Sequence, residues 1–464
     1  MKVCLETMGC QMNKLDSELV VCALRAAGHE LVEDARQADA VLYNTCSVRR
    51  HAEQKALSRL GADGQRKAAG RKLIVGVLGC MAQRMGEAML SRYPQVNLIC
   101  APGQLHRLAE LLERAAAGER CVAADPQRRG RAEPSSGDGI ESLDLGRDVR
   151  RGGLPSQAFV RVMRGCDKFC TYCVVPFVRG PERSRPPDHI LQEVRRLVDA
   201  GRSEITLLGQ TVNSYRWRGG RTSVRFSDLL SMAGAVPGLR RLRFVTSHPV
   251  DFGDDVLQAM RDRPNICRYI HVPAQSGSDA VLRRMNRGYA RAEYDDLIDR
   301  ARSILPDVVL AGDFIVGFPG EAEQDHAASA DLIRRSGYKN SFIFKYSPRP
   351  GTYAAEKLKD DVPSDVKRRR HGELLAVQAE VGLAHHLSYV GRTTEVLVEG
   401  PSPRAGKRTS KPDGCVQLVG RTRGDHIVVF DGQPELAGQY LDVRITGATP
   451  LTLFGEPAGA PAPP

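Results

Sequence analysis

Over residues 1 to about 118, short apolar runs alternate with segments whose apolar residues recur at helical spacing. Residues 3–7, 40–44, 73–78 and 96–100 read as strands, and helices are predicted at 16–27, 48–60, near Glu87 and at 104–117. The run 73–78 is apolar without alternation, as expected of a strand covered on both faces. Strands alternating with helices predict an α/β domain with a parallel sheet. A longer alternation follows, with strands at 158–163, 204–208, 242–246, 269–272, 308–316 and 341–345. Six such βα units suit a β/α barrel, here partial, whose chemistry sits at the C-terminal strand ends. Beyond 388, β-branched runs at 393–399, 415–419, 426–430 and 440–446 predict a small antiparallel β-barrel. The expected organisation is an N-terminal domain over 1–120, a Gly/Pro/Arg-rich linker over 121–155, a barrel over 156–387, a β-barrel over 388–454 and a disordered tail over 455–464.

Composition adds two constraints. The formal net charge of +12 favours a polyanion such as nucleic acid, although Arg-rich codon usage would produce the same excess. No apolar run approaches the roughly 18 residues needed to span a bilayer, and residues 1–6 lack the apolar stretch of a secretory signal. A cytoplasmic protein without membrane contact is expected. In that compartment 12 cysteines point to metal binding or chemistry rather than disulfides.

Two groups of cysteines stand out. Cys166, Cys170 and Cys173 follow the first barrel strand at the spacing Cys-x3-Cys-x2-Cys. Three thiolates on one loop can hold three irons of a 4Fe–4S cubane and leave the fourth open for a small molecule. A zinc ribbon would require a second cysteine pair at similar spacing, and none follows soon after. Cys10, Cys46 and Cys80 each follow one of the first three N-terminal strands. The C-terminal ends of parallel strands face one sheet edge, where α/β folds bind ligands, so this trio suits a second cluster. Three unrelated buried thiols would read the same way in sequence.

The Cys-x3-Cys-x2-Cys loop is the signature of the radical S-adenosylmethionine superfamily. With Gly9-Cys10-Gln11-Met12-Asn13, Asn44-Thr45-Cys46-Ser47-Val48-Arg49, Arg179-Gly180-Pro181-Glu182-Arg183-Ser184-Arg185, Leu208-Gly209-Gln210-Thr211-Val212-Asn213 and Phe344-Lys345-Tyr346-Ser347-Pro348-Arg349-Pro350, the chain resembles the methylthiotransferase family over nearly its whole length. That resemblance implies two 4Fe–4S clusters, S-adenosylmethionine as cofactor and an RNA-binding TRAM module at the C-terminus. One cluster would cleave S-adenosylmethionine to a 5′-deoxyadenosyl radical, and the other would deliver a methylated sulfur to carbon. Gln11-Met12 and Arg349 are similar to the branch that modifies isopentenyladenosine beside the tRNA anticodon. The same chemistry on threonylcarbamoyladenosine or a ribosomal protein is the nearest alternative, and a non-catalytic iron–sulfur RNA-binding protein is one of another class. Lys168, Thr211 and Ala274 depart from the usual wording without removing a ligand.

The resemblance further implies a flavodoxin or ferredoxin as electron donor, iron–sulfur assembly and sulfur-donor proteins as partners, and a monomer. Gln210, Ser247 and Gln275 end barrel strands and are candidates for cofactor contact, though strand-end polar residues also cap neighbouring helices. Arg179, Arg183 and Arg185 beside the cysteine loop, and Arg404, Lys407 and Arg408 in the small β-barrel, are candidates for RNA phosphates. Tyr215 and Trp217 are candidates for base stacking.

Overall fold

The computed structural model of the chain describes residues 1–48, 50–124, 137–149, 156–403 and 414–459. The N-terminal domain is a six-stranded parallel sheet in the order Glu30–Leu31, Lys2–Met8, Ala40–Thr45, Ile74–Gly79, Leu98–Cys100, Cys121–Ala123. Ile74–Gly79 is buried from Val75 onward, which explains the unalternated apolar run at 73–78. The chain reverses its direction of travel between Lys2–Met8 and Ala40–Thr45, and such a switch point opens a crevice at the strand ends.

Six parallel strands build the central domain. Gln157–Arg161, Glu204–Leu208 and Arg241–Val245 pair on one side, and Tyr269–His271, Val309–Val316 and Asn340–Lys345 on the other. The halves join where Leu242 bridges Ile266. Gln157–Arg161 and Asn340–Lys345 form the two edges, so this barrel is open, as the six βα units suggested.

The N-terminal domain enters that opening. Met12, Leu15 and Leu19 of the helix Gln11–Ala26 pack on Leu208, Phe159 and Val245 at the inner face of the first three strands. On the same helix Asp16 is fully buried and accepts from Arg161 and from Arg179, each at 2.9 Å. Arg161 also reaches Asp144 at 2.8 Å, and Arg185 reaches Glu141 at 2.9 Å and Glu193 at 2.8 Å.

These contacts revise the linker. Cys121–Ala123 is the last strand of the N-terminal sheet, and Gly137–Leu145 is a helix with Ile140 and Asp144 buried. Its acidic residues suggest solvent in sequence because their arginine partners lie elsewhere in the chain. The C-terminal end differs as well. Five strands close into a barrel in the order Thr393–Pro401, Val416–Thr422, Ile427–Gly432, Leu453–Pro457, Tyr440–Ala448. Leu453–Pro457 therefore completes the barrel where a tail was expected to begin at 455, anchored by the fully buried Leu453.

Asp16→Asn would leave Arg161 and Arg179 buried with one counter-charge too few. We expect a loss of about 3 kcal/mol, read as a lower midpoint in thermal melting of the iron-free protein. An unchanged midpoint would show that solvent already screens this pair.

Candidate metal centres

Strand geometry brings the three N-terminal cysteines to one edge. Cys10 is the N-cap of Gln11–Ala26, Cys46 directly follows Ala40–Thr45, and Cys80 opens the helix Cys80–Met85. Asn13 donates to Asn44 Oδ1 at 2.8 Å and to the Thr45 carbonyl at 3.1 Å, locking the first two cysteine loops together. The Val48 N–H donates to Cys46 Sγ at 3.3 Å. A hydrogen bond with Cys46 draws the Cys10 thiol down to about 6, whereas burial pushes Cys80 up. Two glycines permit this convergence. A Cβ on Gly9 would stand 2.8 Å from Cys46 Cβ, and one on Gly79, whose φ is +86°, would stand 2.6 Å from the Thr45 carbonyl.

The second trio lies on the loop before the helix Val175–Arg179. The Cys166 N–H donates to the Gly180 carbonyl at 3.1 Å, and the Cys173 N–H to the Cys170 carbonyl at 2.9 Å. Arg287, itself buried, points Nη1 at Cys170 Sγ at 3.4 Å, and Thr211 points its hydroxyl at Cys166 Sγ at 3.8 Å. Burial pushes Cys166 up and Cys173 up to about 12, so these thiols stay protonated until a cation arrives. Iron would displace those protons, since thiolates are the ligating form. Among the described residues no three such side chains gather around one point as they would for a single metal ion, and three thiols on one loop are the donor set that a 4Fe–4S cluster with one open iron would take.

The two trios share a wall. Cys80 packs directly on Val174 and Val178, and Val174 is the residue after Cys173. Arg179, one turn further along, is bonded to Asp16, and its charge bears on Cys80, favouring the thiolate.

The other predicted residues divide. Ser247 is buried with a hydroxyl that finds no partner among the described residues, and buried His248 has neither ring nitrogen bonded. Burial drives the His248 imidazole down to about 2, so it is neutral. Gln275 has φ +70°, its N–H donating to the Asp313 carbonyl at 2.7 Å, and Gln210 is half-buried in the turn after Glu204–Leu208. Thr246, Phe169 and Asn286 also hold positive φ around this barrel mouth. Such conformations persist where surrounding structure over-determines a ligand clamp, and the orphaned polar atoms suit a polar guest.

The basic candidates require correction. Arg179 is buried against Asp16 and Cys80, and Arg185 is 2% exposed within its carboxylate cluster, so neither faces RNA. Arg183 stays half-buried on the strand Arg183–Ser184. Tyr215 is buried with its hydroxyl on the Arg185 carbonyl at 2.8 Å, which removes it as a stacking surface, whereas Trp217 packs against the barrel core and stays partly exposed. Arg404, Lys407 and Arg408 lie outside the described residues. Sequence reading missed Arg287 and Asp16, which no local spacing marks.

A methyl group at Gly165, whose φ is +72°, would fall 1.9 Å from the Pro181 carbonyl, and backbone cannot swing aside. Gly165→Ala is therefore expected to bind less iron and to release no 5′-deoxyadenosine from S-adenosylmethionine under reduction. Wild-type release would show that the loop tolerates the clash.

Comparison with known proteins agrees with this geometry. Residues 2–101 match the Uncharacterized protein family UPF0004, residues 160–333 the Radical SAM superfamily and residues 387–458 the TRAM domain. The radical S-adenosylmethionine methyltransferase TsrM from Kitasatospora setae, solved with cobalamin and a 4Fe–4S cluster, shares the fold with a TM-score of 0.52 and 17% identity, over 76% of this chain and 77% of that one. A tRNA-2-methylthio-N(6)-dimethylallyladenosine synthase from Rhodopirellula baltica is 46% identical over 98% of this chain and 95% of its own. One from Bacteroides thetaiotaomicron is 43% identical over 98% and 96%. With that identity end to end, the chain belongs to the family of radical S-adenosylmethionine enzymes that includes the tRNA-2-methylthio-N(6)-dimethylallyladenosine synthases.

Proposed function

We propose that the chain inserts a methylthio group into the adenine ring of isopentenyladenosine (dimethylallyladenosine) beside the tRNA anticodon, replacing a ring C–H. The observation that carries this reading is the shared wall: Cys80 rests on Val174, one residue beyond Cys173. Cys166, Cys170 and Cys173 would hold the 4Fe–4S cluster that binds S-adenosylmethionine, and Cys10, Cys46 and Cys80 a second one. When bound, the first supplies a 5′-deoxyadenosyl radical and the second supplies sulfur, each using an iron that its three thiolates leave open.

The chain's own residues position and shield these groups. Met12, Leu15 and Leu19 pack against the inner face of three strands and exclude water from that side. Arg287 holds Cys170 in place, while Ser247, neutral His248, Gln210 and Gln275 line the mouth where a polar cofactor binds. The closed five-stranded barrel and Arg183 would grip RNA backbone, with Arg404, Lys407 and Arg408 as further candidates. A loop nucleotide is a suitable target because its base is already unstacked from a duplex. A flavodoxin or ferredoxin would supply electrons, and iron–sulfur assembly proteins the sulfur. No helix among the described residues is long and apolar enough to cross a membrane, and we place the enzyme in the cytoplasm as a monomer.

Threonylcarbamoyladenosine and a ribosomal protein remain the competing acceptors. Reduced, reconstituted protein should add one methylthio group to an isopentenyladenosine anticodon stem-loop, seen by nucleoside mass spectrometry. Modification of either competitor in its place would refute the assignment. A Cys10/Cys46/Cys80 triple alanine variant should lose about half of the iron and all methylthio product, yet still release 5′-deoxyadenosine. Unchanged iron would mean that the N-terminal thiols hold no cluster.

A further inference from the structure

Aromatic side chains are scarce in this chain, at 5% of residues, and two of the most exposed are neighbours on one strand. Phe342 is 52% exposed and Phe344 is 41% exposed, both on Asn340–Lys345 at the open edge of the central barrel. Ile343 between them is buried in the outer core, so alternation turns both rings toward the lumen. The strand register supports the same orientation. Phe342 stands opposite Asp313 and Phe344 opposite Ile315, while the intervening Phe314 belongs to the outer core. The two rings lie 17° from parallel, with centroids 6.4 Å apart.

Position limits what can use this surface. The helix Gln11–Ala26 fills the lumen beside the first three strands, and the rings line its opposite edge. Arg349, just beyond the strand, donates to the Val48 carbonyl at 2.8 Å and thereby ties this edge to the loop that carries Cys46. Asp313 in the same register is bonded to His271 at 3.0 Å, which sets polar groups beside the rings. A flat base with an apolar substituent matches this surface.

We propose that Phe342 and Phe344 are the specificity surface for the target nucleotide: the flipped adenine stacks on the rings and its dimethylallyl chain lies along them. The assignment rests on the proposed function, and it gives that function a reason for preferring an alkylated adenosine. Exposed aromatic rings are sequence-tolerant stacking surfaces for unpaired bases, and aliphatic chains gain by leaving water against them.

The test is steady-state kinetics and equilibrium binding with anticodon stem-loops that carry or lack the dimethylallyl group. Phe342→Ala/Phe344→Ala should raise KM for the alkylated stem-loop about tenfold and flatten the preference over the unmodified one. Phe342→Tyr/Phe344→Tyr should restore both, and iron content and melting midpoint would report an intact fold. KM within about twofold of wild type with the preference retained overturns the proposal. So does a selective rise in KM for S-adenosylmethionine, which would assign the rings to the cofactor. If wild-type protein yields no methylthio product, the functional reading fails, while the binding arm still decides whether these rings recognise the alkylated base.

Discussion

A fully buried carboxylate cannot be left without partners, because removing its charge from water costs far more than a typical contact returns. Asp16 meets that constraint with two arginines, Arg161 from the first barrel strand and Arg179 from the helix after Cys173. The helix capped by Cys10 is thereby tied both to the first barrel strand and to the helix after Cys173. Once seated, it stands beside Cys80, which packs on Val174 just beyond the second trio, and the charge of Arg179 bears on both Cys10 and Cys80. Replacing such pairs with apolar residues is often neutral for stability, so the gain here lies in geometry rather than in net free energy.

Patterns carried locally were legible in the chain. Runs of apolar residues located the parallel strands, and both cysteine trios could be placed because ligands sit at strand ends for topological reasons. What escaped was long-range pairing. Arg161 and Asp16 are 145 residues apart, and Arg179 and Asp16 are 163 apart, so neither partner alters the spacing around the other. Arg179, Arg183 and Arg185 therefore suggested contact with RNA phosphates, although Arg179 and Arg185 spend their donors inside. The helix Gly137–Leu145 was hidden in the same manner, since Glu141 and Asp144 look like linker residues until their partners are known. Leu453–Pro457 escaped because a five-residue strand followed by Gly, Pro and Ala leaves little periodicity to read.

Around the barrel mouth, consistency gives way to strain. Thr246 at φ +72° is costly for a β-branched side chain, and Gln275, Phe169 and Asn286 hold similar conformations nearby. Buried Ser247 and His248 keep polar atoms unbonded beside them. A core of packed strands and outer helices holds these residues in place, which leaves the mouth preorganised for a guest rather than relaxed around itself.

The division of the lumen then follows from packing. Its first half is closed by Met12, Leu15 and Leu19, the same helix that Asp16 secures. The opposite half ends in an edge strand with exposed rings and no closing partner strand among the described residues. On the proposed specificity surface a substrate arrives laterally, over Phe342 and Phe344, on the side that the helix leaves open. On that reading a radical formed at the second trio would be shielded by apolar packing on one side and by the substrate on the other. The docking that sets the distance between the two thiol trios is thus also what confines the reactive space between them.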